Sequence, residues 1–392
     1  MQRRQQTGTG PNFYEEWMQE EEIPVYEAEA GVEDILELPR RPWARMGGSG
    51  TFIQLEGTKQ SYKGLYVAEI PGGGALEPEK HMYDELIYIW RGRGLAEVWQ
   101  VGGSKRSFEW GEGSLFAVPT NAWHRLVNGG REPVLFMAAT NAPAVINAYR
   151  NTDFIFNCDY NFTDRYSGEE DYFLAGEKRT NTRGKGFMTA WWTNFVPDLR
   201  TALLDDLPEK GGPGGKLTGF TMAAWGGGHA SEWPVGRYHK AHTHGPGAVL
   251  MGMKSVGFVL VWPERYGPHP YQDGYGDKVA KMNWKPGSIY SPYGEGGVYG
   301  NSFHQHFNTG PEPARHLAIT GGGVGGGLGH LRGEPYGDFG KSASVREGGR
   351  QIEFDDEDPE IRRMFQKELR QTGVKFDMPP VVYRTDPIPY RF

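Results

Sequence analysis

Gly236-Arg237-Tyr238-His239-Lys240-Ala241-His242-Thr243-His244-Gly245-Pro246-Gly247-Ala248 is the stretch that orients the reading of this 392-residue chain. On a strand, residues two apart point to the same face, so His242 and His244 present two imidazoles side by side. A third imidazole from a later strand would close a triangle. His304, in Ser302-Phe303-His304-Gln305-His306-Phe307-Asn308, is the candidate. His306 competes with it, because on a regular strand it faces the same way. Three nitrogen donors leave positions open for water, oxygen or substrate, as a catalytic metal requires. Nine of the 11 histidines lie at or after His229, so imidazoles concentrate in this half of the chain.

Working outward, the same pattern occurs once more upstream. Gly73 is followed by Glu79-Lys80-His81, then Glu85 and Gly92, and later by Gly113, Pro119, His124 and Asn128. In the second half Gly236 is followed by His242, His244 and Ala248, then by Gly287, Pro292, Gly294, His304 and Asn308. Corresponding histidines are offset by 163 positions (His81 to His244) and by 180 (His124 to His304), so an insertion of 17 separates the two motifs of the second copy. Two ordered copies of a two-part pattern mark a duplication. The spacing His124-x3-Asn128 recurs as His304-x3-Asn308, which favours His304 over His306 as third ligand.

This two-part pattern resembles the cupin superfamily, whose motifs read G-x5-H-x-H-x3-E-x6-G and G-x5-P-x-G-x2-H-x3-N. The resemblance implies an all-β bicupin: two tandem double-stranded β-helix (jelly-roll) barrels. The first copy departs at Glu79, where the first histidine belongs, and at Asn121, where a glycine belongs. The second has Ala248 in place of the glutamate and a longer loop before His304. Cupins with three histidines and a glutamate include oxalate decarboxylases, isomerases and quercetin dioxygenases. The run Ala241 to Ala248 is similar to gentisate-type dioxygenases, in which three histidines hold Fe(II), although those enzymes carry the site in the first barrel. The resemblance therefore implies a divalent metal on His242, His244 and His304, with Fe(II) favoured and Mn, Ni, Zn or Cu also suited. A second set, Glu79, His81, Glu85 and His124, occupies the four ligand positions of the first barrel. There a degenerate copy kept for packing is the plainer expectation.

Composition agrees with a soluble two-domain protein. Hydrophobic residues make up 38% and charged residues 23%. The length suits two domains of about 100–150 residues each plus arms. Glycine, at 58 residues, supplies the tight turns of a short-stranded protein. No run of about 18 apolar residues exists, so no membrane span is expected. The N-terminal stretch lacks the apolar segment of a secretory signal. Cys158 alone forms no intramolecular disulfide and builds no thiolate metal site. A cytoplasmic enzyme is expected. The net charge of −7 argues against nucleic acid. The basic run Arg40, Arg41 and Arg45 reads as solvated surface. Neither a G-x-S-x-G elbow nor a Walker-type loop is present, and Gly92-Arg93-Gly94 lacks the strand-turn-helix context of a dinucleotide site.

The expected organisation is an N-terminal arm (1–45) and a first barrel (46–145), then a connector (146–215), a second barrel (216–325) and a C-terminal extension (326–392). Short strands are predicted at Gly64–Ile70, Glu85–Trp90, Leu95–Val101, Ser114–Val118 and Val134–Ala139. Gly321–Gly329 reads as a loop. Ile361, Met364, Phe365 and Leu369 recur at helical spacing and predict a helix over 357–373, packed on a barrel or on a partner subunit.

Arg237, His239, Tyr290 and His306 are the candidate catalytic or substrate-orienting residues, with Tyr293 beside them. Val249, Leu250, Met251, Phe258 and Val261 are expected to keep water out. Tyr83, Tyr88, Trp90, Trp99 and Trp123 read as core and interface. The expected function is an Fe(II) dioxygenase acting on an aromatic or oxygenated organic acid, with oxygen as co-substrate and a homodimer as the assembly. A non-oxidative lyase, isomerase or decarboxylase using Mn, Ni or Zn is the alternative, and a non-catalytic structural or ligand-binding bicupin is a third.

Overall fold

A computed structural model describes residues 10–174, 176–181, 188–295, 300–320 and 343–388. Gly321–Gly329 lies outside the described residues. Alternating inward and outward side chains create two β-sandwich halves with the same wiring. In the first half the larger sheet orders its strands Gly48–Leu55, Gly64–Ile70, Val134–Thr140, Glu85–Arg91, Leu115–Val118. In the second the order is Lys216–Met222, Gly226–Trp233, Ala314–Ile319, Val249–Lys254, Ile289–Tyr290. The smaller sheets correspond too. Trp123–Asn128, Gly94–Trp99 and Arg106–Trp110 match Ser302–Asn308, Gly257–Pro263 and Ala280–Trp284.

Strand register locates the insertion. Gly94 faces Trp110 across its pair and Gly257 faces Trp284. The offset between copies is therefore 163 at Gly94/Gly257, 174 at Trp110/Trp284 and 180 at His124/His304. The 17 extra residues are not one insertion. Eleven lengthen the hairpin after Gly257–Pro263 and six precede Ser302–Asn308.

The motif residues that bind nothing hold turns. Asn128 Nδ2 donates to the carbonyls of Ile70, Pro71 and Glu132, and Asn308 Nδ2 to those of Pro234 and Glu312. Asn121 has a φ of 56°, a left-handed conformation that asparagine tolerates better than other side chains with a Cβ. This is how the first copy dispenses with the motif glycine.

The two larger sheets pack face to face. Leu65, Val67, Leu86, Tyr88 and Met137 meet Phe220, Val249, Met251, Leu317 and Ile319 in one buried cluster. A fully buried side chain of this kind contributes about 2 kcal/mol. Lys63, also buried, donates to the carbonyls of Gly247 and Ile319 in the other half. Burial pulls its pKa down to about 7.

The arm does not stand free. Val25–Ala28 adds in parallel to Gly48–Leu55, while Gly31–Val32 pairs with Ile289–Tyr290 of the second half. Within the connector Thr152–Asn157 is helical and Phe195–Val196 pairs with Leu115–Val118. The C-terminal helix spans Pro359–Thr372. Asp358 caps its start by accepting from Glu360 N at 2.9 Å, and Gly373, at φ 72°, ends it. Ile361, Phe365 and Leu369 cover Tyr238, Phe258 and Phe307 on the outer face of the second small sheet. The arm thus pairs with both halves, and the helix takes the barrel placement, one of the two expected of it. Among the described residues no helix is long and apolar enough to cross a membrane.

Candidate metal centres

In the first half, parity sends Glu85 into the sandwich. It shares its face with Ile87 and Ile89, whereas Leu86 and Tyr88 face the other half. Opposite it stand His81 and His124, and one donor atom from each of the three lies within 4.8 Å of the others. His81 Nδ1 donates to the Tyr83 carbonyl at 2.8 Å and His124 Nδ1 to that of Ala122 at 3.0 Å. Each ring is thereby oriented with Nε2 inward, and a neutral imidazole so bonded carries its lone pair there. The two Nε2 atoms are buried without a hydrogen-bond partner, 3.6 and 3.5 Å from Glu85 Oε2.

Three electron-rich atoms facing one another need a cation among them. Burial alone would raise the Glu85 pKa, yet the His124 and His81 imidazoles beside it hold it well below the usual carboxylate range. Burial alone would lower His124, yet Glu85 and Glu79 outweigh it and raise its proton affinity. Tyr66 steadies the carboxylate with a 2.5 Å hydrogen bond to Oε1. Tyr83 stacks on His81 at 3.7 Å and 7°. Tyr83, read from sequence as core, is part of the site wall.

Glu79 stands apart from that set. It pairs with Arg45, and its Oε1 lies 3.9 Å from His124 Nε2. Arg45 also binds Glu21 and sits over the rings of Phe156, Trp43 and Trp17. Its reading as solvated surface is therefore corrected. Arg45 is 34 residues from Glu79 in sequence, and no local signal announces the pairing.

The second half places His242 directly across from His304 in register, with ring centroids 4.2 Å apart. His244 is 4.5 Å from His304, and donor atoms of the three lie within 4.8 Å of one another. The structure thus brings together the three histidines singled out from spacing. Glu79 and His124 form the matching bridge in the first half, so the register reproduces the motif alignment. Burial first, then the charge of Lys210 and the neighbouring imidazoles, hold the His242 pKa well below the ordinary value. Ala248 takes the place that Glu85 holds in the first half, so this set carries no carboxylate.

His306 lies outside the triad. Its Nδ1 is 2.9 Å from the Tyr290 hydroxyl, which is also 2.9 Å from His316 Nδ1. His239 packs on Trp233 at 4.4 Å, 6.1 Å from His306, and burial drives its pKa down to about 3. Two expectations are corrected. Arg237 binds Asp377 at 2.8 Å and the Pro213 carbonyl, and Tyr293 binds Glu29 at 2.8 Å; both are committed away from the histidines. The apolar run splits by parity as well. Leu250 and Val261 line the interior, Val249 and Met251 face the first half, and Phe258 lies beneath the C-terminal helix. His316, Trp233 and Trp284 complete that interior. Sequence reading passed over them because they fall outside both motifs.

A family model described as Cupin domain matches residues 66–140. No curated protein matches the chain. Among solved structures, a tryptophan-to-phenylalanine variant of oxalate decarboxylase from Bacillus subtilis is similar at 11% identity, covering 74% of this chain and 76% of that one, with a TM-score of 0.46. An arginine-to-alanine mutant of the same enzyme gives 12% identity, the same coverage and a TM-score of 0.46.

Proposed function

Since the chain is a bicupin, with a cupin domain in its first half and the same wiring repeated in its second, we propose that it is a metal-dependent enzyme acting on a small organic acid by non-oxidative chemistry, as a lyase, decarboxylase or isomerase. The observation that carries the metal is the convergence of His81 Nε2, His124 Nε2 and a Glu85 carboxylate oxygen, both imidazole nitrogens being buried without a hydrogen-bond partner. Imidazole and carboxylate donors suit Mn, Fe or Zn. A divalent ion would supply Lewis-acid polarisation of a bound oxygen, which needs nothing beyond its charge.

The chain's residues divide the work by charge. His242, His244 and His304 are neutral donors and leave the positive charge of an ion whole, so the second half is the place for an organic anion. Leu250, Val259, Val261, Trp233 and Trp284 surround it with apolar surface, which strengthens the attraction. In the first half Glu85 already offsets the ion, and Arg45 holds Glu79 beside it.

Oxygenation is the second reading. It is favoured by Ala248, which leaves three imidazoles alone, and by the two-histidine, one-carboxylate set of the first half, both suited to Fe(II). The test is turnover of a panel of hydroxy, keto and dicarboxylic acids by protein loaded with Mn or Fe, run with and without oxygen. Product formation without oxygen supports the first reading. Strict oxygen dependence with iron overturns it in favour of the second.

A further inference from the structure

The Tyr290 hydroxyl has one proton and two imidazole neighbours, each 2.9 Å away through Nδ1. It donates to one and accepts from the other, so only two arrangements exist. In one, His306 Nδ1–H donates to Tyr290, which donates to a bare His316 Nδ1. In the other the direction is reversed. The far nitrogen of His316 decides between them.

His316 is 1% exposed and its Nε2 is buried without a hydrogen-bond partner. Its ring stands nearly perpendicular to Trp284 (4.3 Å, 81°) and Trp233 (4.8 Å, 86°). Packed between two indoles, an unpartnered N–H is tolerated better than an unpartnered lone pair, because indole π-density attracts the one and repels the other. The indole N–H groups of Trp233 and Trp284 are themselves buried without partners, and neither is turned to His316 Nε2, as a lone pair there would invite. The proton therefore belongs on His316 Nε2, its Nδ1 accepts, and the direction of the whole chain follows. Burial keeps His316 neutral, with its pKa pushed down to about 3, and a single hydroxyl proton shared between two Nδ1 atoms orders the rest of the chain.

We infer that Tyr290 and His316 lock His306 as the Nδ1–H tautomer, leaving a bare Nε2 as hydrogen-bond acceptor beside His242, His244 and His304, so that the second half selects an organic acid bearing a hydroxyl next to its metal-binding group. The His306 ring is 5.4 Å from His304 and 6.3 Å from His242. Among the described residues no protein hydrogen bond engages its Nε2. The selectivity rests on the proposed metal site; the tautomer does not.

Metal-free protein labelled with 15N-histidine tests the relay directly. Two-bond proton–nitrogen correlations distinguish Nδ1–H from Nε2–H, and His316→Gln assigns the partner's resonances. His306 protonated on Nδ1 and His316 on Nε2 is the expected result, with Tyr290→Phe releasing His306 toward the other tautomer. A wild-type His306 carrying its proton on Nε2 overturns the inference. For selectivity, zinc-loaded protein is titrated with glycolate and methoxyacetate, which share a carboxylate but differ in the hydroxyl donor. Glycolate should bind about fivefold more tightly, and Tyr290→Phe should erase the preference. Equal affinities in the wild type overturn the selectivity. Failure to take up zinc overturns the metal reading together with the selectivity, while the tautomer spectra still decide the relay.

Discussion

The first half surrounds its inward histidines with carboxylates, while the second surrounds its own with more histidines and tryptophan. Both use the same strands in the same order, and both put a bridge at the same register, Glu79 to His124 and His242 to His304. Yet Glu85 against Ala248, and Glu79 against His242, separate the two electrostatically. One site holds two carboxylates, one of them tied to Arg45; the other holds only imidazoles. The scaffold sets the positions from which donors converge, and two residues at those positions set how much positive charge an ion would retain. The halves also differ outside. The second small sheet is covered by the Pro359–Thr372 helix, whereas the first carries Trp99 and Trp123 on its half-buried face.

If this division of labour holds, His304→Ala should lower kcat/KM about a thousandfold, a few kcal/mol of charge stabilisation, and remove one metal per chain. His124→Ala should remove the other metal with a much smaller effect on turnover. Elemental analysis beside kinetics measures both, and equal losses from the two variants would erase the contrast.

The outer cover of the second half should be equally one-sided. Phe365→Ala deletes a ring packed on Tyr238, Phe258 and Phe307, at a cost of about 3–4 kcal/mol by denaturant melting.

Next comes Glu357, buried at the start of that helix. It accepts from Tyr238 Oη and, at 3.2 Å, from Gln305 Nε2. Burial, partly offset by those hydrogen bonds, raises its pKa from 4.5 to about 7. A raised folded-state pKa contributes stability that is complete below about 4.5 and lost as pH rises through about 7. Chemical denaturation should therefore show on the order of 2–3 kcal/mol lost across that window, with Glu357→Gln flattening the profile.

The smallest effect is the most discriminating. His124 is raised above its ordinary pKa and His242 lowered. A metal therefore meets more competition from a proton on His124 than on His242. Zinc affinity measured between pH 6 and 8 should fall more steeply on the acid side at the first site than at the second. Parallel slopes would refute the assignment.

Much of this was readable in one dimension. The repeat and the shared face of His242 and His244 follow from spacing, because a strand's period of two binds sequence position to direction; the jelly-roll class and the ligand positions of His81, Glu85, His124 and His304 came with the cupin resemblance that the repeated motifs carry. The C-terminal helix followed from a period of 3.6 and a Gly373 stop. Strand parity was weaker guidance for lining residues. Val249 and Leu250 are adjacent and equally apolar, and only knowledge of what each face packs against separates interior from interface. Arg45 looked like surface because a guanidinium in a short basic run usually is.

The sequence alone thus established the duplication through recurring spacing, and the fold and the converging residues through the cupin resemblance of its repeated motifs. The fold in space settled what long-range contact controls: Glu79 drawn to Arg45, the 17 extra residues divided between two loops, the arm shared between both halves, and His306 joined through Tyr290 to His316. Those partners are distant in the chain or fall outside the motifs. Their pairing is set by burial, which makes an unmet charge or hydrogen bond costly wherever in the chain its partner comes from.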